Sequence, residues 1–585
     1  MCGIIGYIGK KNASKIVVEG LKMLEYRGYD SWGVAFKDKD KIDIIKKVGQ
    51  ISKFTQELPE SNIAMGHTRW ATHGRVNETN AHPHTNSDKS VAVVHNGIIE
   101  NYQELRKELK DKGYKLITET DTEVIPFLIT EHMKKSGFTE AVRSTLLELQ
   151  GNYAIAAINK KDGIMIGARK GSPLILGVGD GENFIASDAP AFMQHTRKVV
   201  FLEEGEMAVL NGGYKILNVE TGAEKEKEIS ELTWSIEKAM KGKFPHFMLK
   251  EIHEQPESLL RTMKAGNGEI KKAAEMINKG FGIFLVACGT AYHSCLSGSY
   301  LFSEISHKHV NHTIASEFKY YEDFLTDKTL MVPVSQSGET ADLLDAVRSG
   351  KKKKVKILPI VNVLGSTLAR MGDDIVYLNA GPEIGVASTK AYTSQVAVMI
   401  LLAHAINGDL EIGKQRIREA SDAIKEFLKS DGTEKIQKIA KEIKDKRSIF
   451  TLGRGLSYPT ALEAALKIKE ISYIHAEGFP GGELKHGTIA LIEKGTPCIV
   501  FVPENETKME ILSNAGEVKA RGASIIGVGP ENNEIFDYHI KVPDIKEAHV
   551  LVNIVPMQLL AYHLALLRGC DPDKPRNLAK SVTVK

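Results

Sequence analysis

The chain has 585 residues, 42% hydrophobic and 26% charged, with a formal net charge of +3. This is a globular composition with room for about four domains, and a charge so near balance gives no general attraction to nucleic acid or to a membrane surface. The apolar stretch 396–406 falls short of the ~18 residues a membrane span needs, and the N-terminus lacks the basic region, apolar run and cleavage site of a signal peptide.

The chain begins Met-Cys-Gly-Ile-Ile-Gly. If Met1 is removed, Cys2 carries a thiol nucleophile and a free α-amino group able to take its proton, so nucleophile and base share one residue. The alternative is a core thiol at the start of a first strand, 3–8. Further strands are predicted at 33–36, 63–67, 91–96, 153–159 and 163–168, and helices at 13–26, 101–112, 121–134 and 139–149. Strands and helices fall in blocks, without a βαβ rhythm, which points to layered α+β packing.

Three stretches of this half could contain chemistry. The loop Gly66-His67-Thr68-Arg69-Trp70-Ala71-Thr72-His73-Gly74 holds an arginine able to grip a carboxylate bidentately. Val94-His95-Asn96-Gly97-Ile98 is either a turn or an oxyanion hole built from the Asn96 amide and the Gly97 N–H. Glu119-Thr120-Asp121-Thr122-Glu123 reads as a helix start with an acidic first turn, or as a place for Asp121 to take an ammonium group opposite Arg69. His67, His73, His82, His84 and His95 lack ligand spacing and an accompanying carboxylate or thiol, so no metal is expected. The five cysteines (Cys2, Cys288, Cys295, Cys498, Cys570) are scattered, odd in number and never spaced CxxC. That argues against disulfides and for a reducing, cytoplasmic setting.

In register, Cys2-Gly3-Ile4, Glu25–Ser31, the His67–Gly74 loop, His95-Asn96-Gly97 and Thr120–Glu123 resemble the glutaminase domain of the class II, N-terminal-nucleophile amidotransferases. The resemblance implies a four-layer αββα sandwich over 2–225, with Cys2 as nucleophile, Asn96 and Gly97 as oxyanion hole, Arg69 and Asp121 clamping glutamine, and Trp70 and His73 in the substrate loop. Trp32 departs from the small residue usual there.

Charged residues, Gly242 and two prolines mark 226–260 as a junction. Phe244, Phe247 and Met248 are too apolar for a free tether, so a packed hinge is expected. Beyond it the rhythm changes to strand, Gly-rich turn, helix, which predicts parallel α/β layers. Strands at 282–288, 330–334, 357–361 and 375–378 form one doubly wound unit within 261–410. A second, within 411–565, has strands at 448–452, 498–502 and 525–528. In the first unit the turn Ser335-Gln336-Ser337-Gly338-Glu339-Thr340 opens a helix, as a phosphate cradle does. The corresponding Pro503-Glu504-Asn505-Glu506-Thr507 would repel phosphate. One phosphate site per chain is therefore expected, in the first unit. A dinucleotide fingerprint is incomplete at Gly453-Arg454-Gly455. The helix 459–473 places Glu463, Lys467 and Glu470 on one face of an otherwise apolar helix, and charges there need a reason.

The runs Val286–Ala291, Val334–Thr340, Val386–Lys390, Lys467–Glu477, Gly481–Gly487 and Asn577–Val584 resemble the sugar isomerase half of the isomerising glutamine:fructose-6-phosphate aminotransferases, with departures at Ala291 and Thr488. The resemblance implies transfer of the glutamine amide nitrogen to fructose 6-phosphate, isomerisation to glucosamine 6-phosphate, no metal or organic cofactor, and a homodimer through the isomerase halves. Thr290, Ser335, Gln336, Ser337 and Thr340 would hold the phosphate. Val386, Ala387, Ser388 and Ala579 would line the sugar, and His486 would assist ring opening. Glu470 would move the C1–C2 proton beside Lys467. Lys580, in the tail 566–585 closing over the site, would form a Schiff base at C2 as a neutral amine with a depressed pKa.

Overall fold

The computed structural model describes residues 2–39, 41–71, 73–232, 240–264 and 267–582. Met1, Thr72, the 233–239 part of the junction and the last three tail residues lie outside the described residues. The chain divides into two compact units, Met1–Ala239 with Ser581–Lys585, and Met240–Lys580.

The first unit holds two antiparallel sheets. In spatial order one runs Ser230–Glu231, Lys198–Phe201, Ile175–Val178, Asn183–Ala186, Gly3–Ile8, Ile63–Arg69, Ser31–Asp38, Lys41–Val48. The other runs Glu224–Lys225, Tyr214–Asn218, Glu206–Leu210, Met165–Lys170, Gly151–Asn159, Val91–Ile99, His84–Thr85. Their inner faces meet through Ile4, Met65, Val94, Ala156 and Ile185. Helix Ala13–Met23 covers the first sheet, and helices Tyr102–Asp111, Val124–Met133 and Phe138–Glu148 cover the second. This is the four-layer αββα sandwich. It explains why Gly3–Ile8 is apolar without alternation: all six residues are buried, with a helix on one face and a sheet on the other. Trp32 is buried against Phe54, their rings 4.7 Å apart.

The turn reading of Asn96-Gly97 is corrected. The strand continues through both residues to Ile99, and Asn96 and Gly97 pair with Ala154 and Tyr153. Gly97 has φ +129°, and a Cβ there would lie 2.0 Å from the Asn152 carbonyl oxygen. Only glycine fits this backbone.

The second unit contains two parallel sheets of the same order. The first runs Asn311–Ile314, Phe284–Ala287, Leu330–Ser335, Ile360–Val361, Val376–Tyr377. The second runs His475–Pro480, Ser448–Gly453, Pro497–Phe501, Ser524–Gly529, Tyr538–Lys541. Both have the doubly wound order 2-1-3-4-5, which opens a ligand crevice where strands 1 and 3 diverge. In the first sheet that crevice lies between the turns after Ala287 and after Ser335. One hydrophobic core joins both copies, including Met248, Leu285, Val334, Tyr392, Ile468 and Leu560. Met248, from the expected hinge, is fully buried in it.

Helix His549–Leu567 is longer than the apolar stretch singled out by the sequence. Among the described residues, only the segment Lys546–Leu567 that includes it is long and apolar enough to cross a membrane, but 83% of its apolar window is buried inside the fold. It is a core helix.

Candidate functional sites

Pairing of Gly3 with Thr68 brings Cys2 to the start of the Arg69–Gly74 loop. The Trp70 N–H donates to the Cys2 Sγ at 3.2 Å, and the thiol faces the Trp70 carbonyl at 3.4 Å. Burial pushes the thiol above its ordinary pKa, against the lowering effects of the Trp70 hydrogen bond, Arg69 and Arg27. Asn96 Nδ2 donates to the Cys2 carbonyl and to Ser187 Oγ, both at 2.9 Å. Asn96 Oδ1 meets His67 Nε2 at 2.9 Å. The buried His67 ring is neutral at physiological pH, its pKa lowered to about 3 by desolvation. A neutral ring with Nε2 between two oxygens, Asn96 Oδ1 and the His95 carbonyl, donates from that nitrogen. His67 thereby fixes which way the Asn96 amide faces.

Arg69 is buried and donates to the carbonyls of His73, Gly74 and Arg75. Asp121 accepts from the Ile99 N–H at 2.8 Å. No direct ion pair joins the two side chains among the described residues, but both line one narrow cavity with Cys2, Trp70, His73, Gly97 and Thr122. A cation, a carboxylate, a thiol and a positive-φ glycine therefore share one small space. Trp70 packs edge-on against Tyr29, centroids 5.5 Å apart. A cavity of about 700 Å³ lies among Ile44–Lys47, Pro83–Ser87 and Phe127, away from Cys2. His67, His82 and His84 pack ring against ring, and burial lowers the pKa of each. Among the described residues no group of three His, Cys, Asp or Glu could hold a metal. The sequence reading missed Ser187, the Arg27 contact to the Cys2 carbonyl at 3.2 Å, and His67 as the orienter of Asn96.

In the second unit, Ser335 ends its strand and its Oγ accepts from the Gly338 N–H at 2.9 Å. Thr340 Oγ1 lies 3.3 Å from the same oxygen, and the Glu339 N–H donates to Ser337 Oγ at 3.2 Å. Gly338 has φ +67°, and a Cβ would meet Ser366 Oγ at 2.2 Å. The turn is thus folded tightly over the N-terminus of helix Ala341–Lys352, as a phosphate cradle requires. The Gln336 backbone carbonyl accepts from Asn362. In the second copy Glu504 pairs with Lys508 and Arg454 with Glu510, so the corresponding crevice is occupied by its own charges.

Helix Ser457–Ser472 brings its charged face to Thr290 and His293 of the first copy. Glu463 accepts from Thr290 Oγ1 at 3.1 Å and meets His293 Nδ1 at 2.7 Å. Lys467 donates to Thr290 at 3.0 Å and pairs with Glu463 at 3.2 Å and with Glu470. Burial opposes the Lys467 charge, yet the two carboxylates outweigh it and raise its pKa. Burial raises the Glu470 carboxyl, against the pull of Lys467. These charges do not form a surface ladder. Glu463 and Lys467 are fully buried.

Lys580 is bonded to Glu383, and both side chains are buried. Glu383 also accepts from Ser388 Oγ at 3.2 Å, the Thr389 N–H at 2.9 Å and the Ala391 N–H at 3.0 Å. Val386 and Ala387 are buried beside them, and the Val386 N–H donates to the Asp573 carbonyl. Ala579 precedes Lys580 in the half-buried run 578–580. His486 ends the short helix Leu484–His486 and is exposed. Among the described residues no hydrogen bond joins its ring to Glu470 or Lys580. The sequence reading did not single out Glu383, which stands in an unremarkable Gly-Pro-Glu.

An αββα sandwich with a cysteine at residue 2, followed by two parallel sheets with a phosphate-type crevice, defines an amidotransferase joined to sugar isomerase modules. Residues 67–194 match the glutamine amidotransferase domain model, and residues 275–405 and 442–568 match the SIS domain model. Over the full length of both chains, the protein is 48% identical to a glutamine–fructose-6-phosphate aminotransferase (isomerizing) of Pyrococcus horikoshii and 47% identical to that of Thermococcus kodakarensis. A solved C-terminal domain of glucosamine-fructose-6-phosphate aminotransferase from Francisella tularensis aligns with TM-score 0.54 and 38% identity, covering 57% of this chain and 99% of its own. The chain belongs to the isomerizing glutamine–fructose-6-phosphate aminotransferase family.

Proposed function

We propose that the chain transfers the amide nitrogen of L-glutamine to D-fructose 6-phosphate and isomerises the product to D-glucosamine 6-phosphate, releasing L-glutamate. This is the committed step toward nucleotide-activated amino sugars. Its domains are 2–225 for glutamine hydrolysis, a junction at 226–260, isomerase copies at 261–410 and 411–565, and a closing tail at 566–585. The observation that carries this reading is the convergence of Cys2, Gly97, Arg69 and Asp121 on one cavity, in a chain related over its whole length to that family.

Cys2, terminal once Met1 is removed, attacks the glutamine side-chain carbonyl. Asn96 and Gly97 hold the oxyanion; His67 fixes which way the Asn96 amide faces, which in this structure is toward the Cys2 carbonyl and Ser187 Oγ. Arg69 takes the substrate carboxylate and Asp121 its ammonium group, with Trp70 and His73 closing over it and Trp70 gating the ammonia. Water then releases glutamate from the thioester. In the second unit Thr290, Ser335, Gln336, Ser337 and Thr340 hold the sugar phosphate, while Val386, Ala387, Ser388 and Ala579 line the sugar. Lys580 forms the imine at C2, and ammonia displaces it. Glu470, its proton affinity raised by burial against the pull of Lys467, moves the proton between C1 and C2 as a general base. Lys467 balances its charge. His486, exposed on its own chain, serves ring opening in the site of a second copy, which makes the working form a homodimer. Five free thiols fit a reducing cytoplasm.

The test is one incubation with glutamine and fructose 6-phosphate in which glutamate and amino sugar are quantified together. Stoichiometric appearance of both supports the assignment, and glutamate without amino sugar refutes it.

A further inference from the structure

Imine formation requires the Lys580 ammonium to surrender a proton and, after attack on the ketone, the resulting hydroxyl to receive one. A second buried acid stands near the Lys580–Glu383 pair. Glu251, on helix Phe247–His253, is 1% exposed. Its Oε1 accepts from the Ile384 and Gly385 N–H groups, the two residues following Glu383. Its Oε2 is buried without a hydrogen-bond partner and lies 2.9 Å from where a Cβ on Gly385 would be. The segment 383–391 is thus clamped between Glu251 on one side and the Glu383 carboxylate on the other, with Lys580 bonded to the latter. Nothing in the mechanism above uses Glu251 or Glu383.

We propose that Glu383 takes the proton from the Lys580 ammonium and returns it during imine formation, with Glu251 as the positioning acid that governs how readily that proton moves. The inference rests on Lys580 being the imine-forming residue. The ammonium gives one proton to the Glu383 carboxylate, and the neutral amine adds to the C2 carbonyl. The protonated Glu383 then donates to the carbinolamine hydroxyl, which leaves as water. The attacking nitrogen passes a second proton to the C2 oxygen to give that hydroxyl, so the C=O double bond is replaced by C=N with loss of one water, and Glu383 ends ionised beside the iminium.

The charges around Glu251 fit this role. Burial and the Glu383 carboxylate push its pKa up to about 8, against Lys580, Lys390 and the Ile384 N–H. Lys390 is paired with Glu254 at 2.6 Å, which also meets Lys250 at 3.3 Å. Asp573 is committed to the N–H groups of Phe247 and Met248. Glu383 faces the opposite balance: burial raises its pKa, but Lys580 and the Ala391 and Thr389 N–H groups outweigh that and lower it. At neutral pH one of the two acids is therefore ionised and one is not, so a single negative charge meets the ammonium. Ionising Glu251 adds a second negative charge and holds the proton on Lys580.

The experiment traps the imine with borohydride after mixing full-length protein with fructose 6-phosphate, maps the modified lysine, and follows the trapping rate from pH 6 to 10. The native protein is modified on Lys580, and its rate falls above about pH 8 as Glu251 ionises. Glu383→Gln slows trapping at pH 7 by ~10²–10⁴-fold, the range for a lost proton-transfer group. Its rate recovers as hydroxide takes over at high pH, which a merely structural role would not produce. Glu383→Asp, which keeps the charge, gives an intermediate rate and guards against misfolding of the glutamine variant. Glu251→Gln loses the alkaline decline. Modification of another lysine in native protein overturns the Lys580 reading itself. Modification of Lys580 at native rate in Glu383→Gln overturns the role of Glu383, and a Glu251→Gln profile superimposable on native overturns that of Glu251.

Discussion

Replacing Lys467 with methionine removes the cation paired with the buried Glu463 and the half-buried Glu470 while keeping an unbranched side chain only one atom shorter. At 3.2 Å from Glu463 and an effective dielectric of about 20, the lost attraction is about 5 kcal/mol. Desolvation of the ammonium offsets part of this, and truncating one partner of a buried pair costs ~3–5 kcal/mol because the other charge is left stranded. The chain provides its own reference signal. All three tryptophans, Trp32, Trp70 and Trp234, precede residue 240, so tryptophan fluorescence reports the first unit and far-UV circular dichroism reports both. In urea, Lys467→Met should move the circular-dichroism transition of the second unit to lower denaturant by ~3–5 kcal/mol and leave the fluorescence transition in place. Adding Glu463→Gln should recover part of the loss. A single-variant loss below ~1 kcal/mol, the scale of a solvated surface pair, would refute the view that these charges are buried and mutually dependent.

Cys2→Ala should abolish glutamate release from glutamine, and retained hydrolysis would exclude the thiol as nucleophile. Because burial raises the Cys2 thiol above its ordinary pKa, its iodoacetamide alkylation rate should still be climbing at pH 9, whereas a plateau near pH 7 would contradict that. Gly97→Ala should lower glutaminase kcat by ~10²–10³-fold, the effect of losing one oxyanion donor, since its Cβ cannot pass the Asn152 carbonyl. Steady-state glutamate release measures it. His404 is held by Glu547 at 3.0 Å and Asp409 at 2.9 Å, and these outweigh burial to raise its pKa above 6.5. A raised folded-state value contributes stability that is complete below about pH 6.5 and lost as pH rises through the folded value. Thermal unfolding of the second unit should therefore fall over that window, and His404→Gln should flatten the slope.

The longest apolar and most strongly punctuated elements were legible from the sequence. Strand Gly3–Ile8 falls where the apolar run predicts, and the duplicated strand–turn–helix rhythm gives both parallel sheets. The short strands Ile175–Val178, Asn183–Ala186 and Lys198–Phe201 are too brief for a period to emerge, and only pairing within the sheet defines them. Asn96-Gly97 has turn chemistry but lies mid-strand, because the neighbouring strand at Asn152–Tyr153 leaves room for nothing larger than glycine. Glu463 and Lys467 were legible because charges stood out against an apolar helix. Glu251 and Glu383 were not. One sits among lysines and glutamates that read as a solvated face, the other in a Pro-Gly loop, and only folding around Lys580 reveals that both are buried. His67 likewise looked like part of a loop, and its role follows from a hydrogen bond to a residue 29 positions away.

The core shared by the two isomerase copies also constrains how the chain is made. Helix Lys390–Asn407, at the end of the first copy, buries its residues in the same core as helix His549–Leu567. During synthesis the first copy therefore leaves the ribosome well over a hundred residues ahead of the segment that completes its interior. Until then its apolar surface has no partner, and the late segment is itself apolar enough to be mistaken for a membrane span. Chaperone demand should thus concentrate on the second half of translation, and fragments ending between residues 410 and 549 should aggregate although they contain a complete parallel sheet.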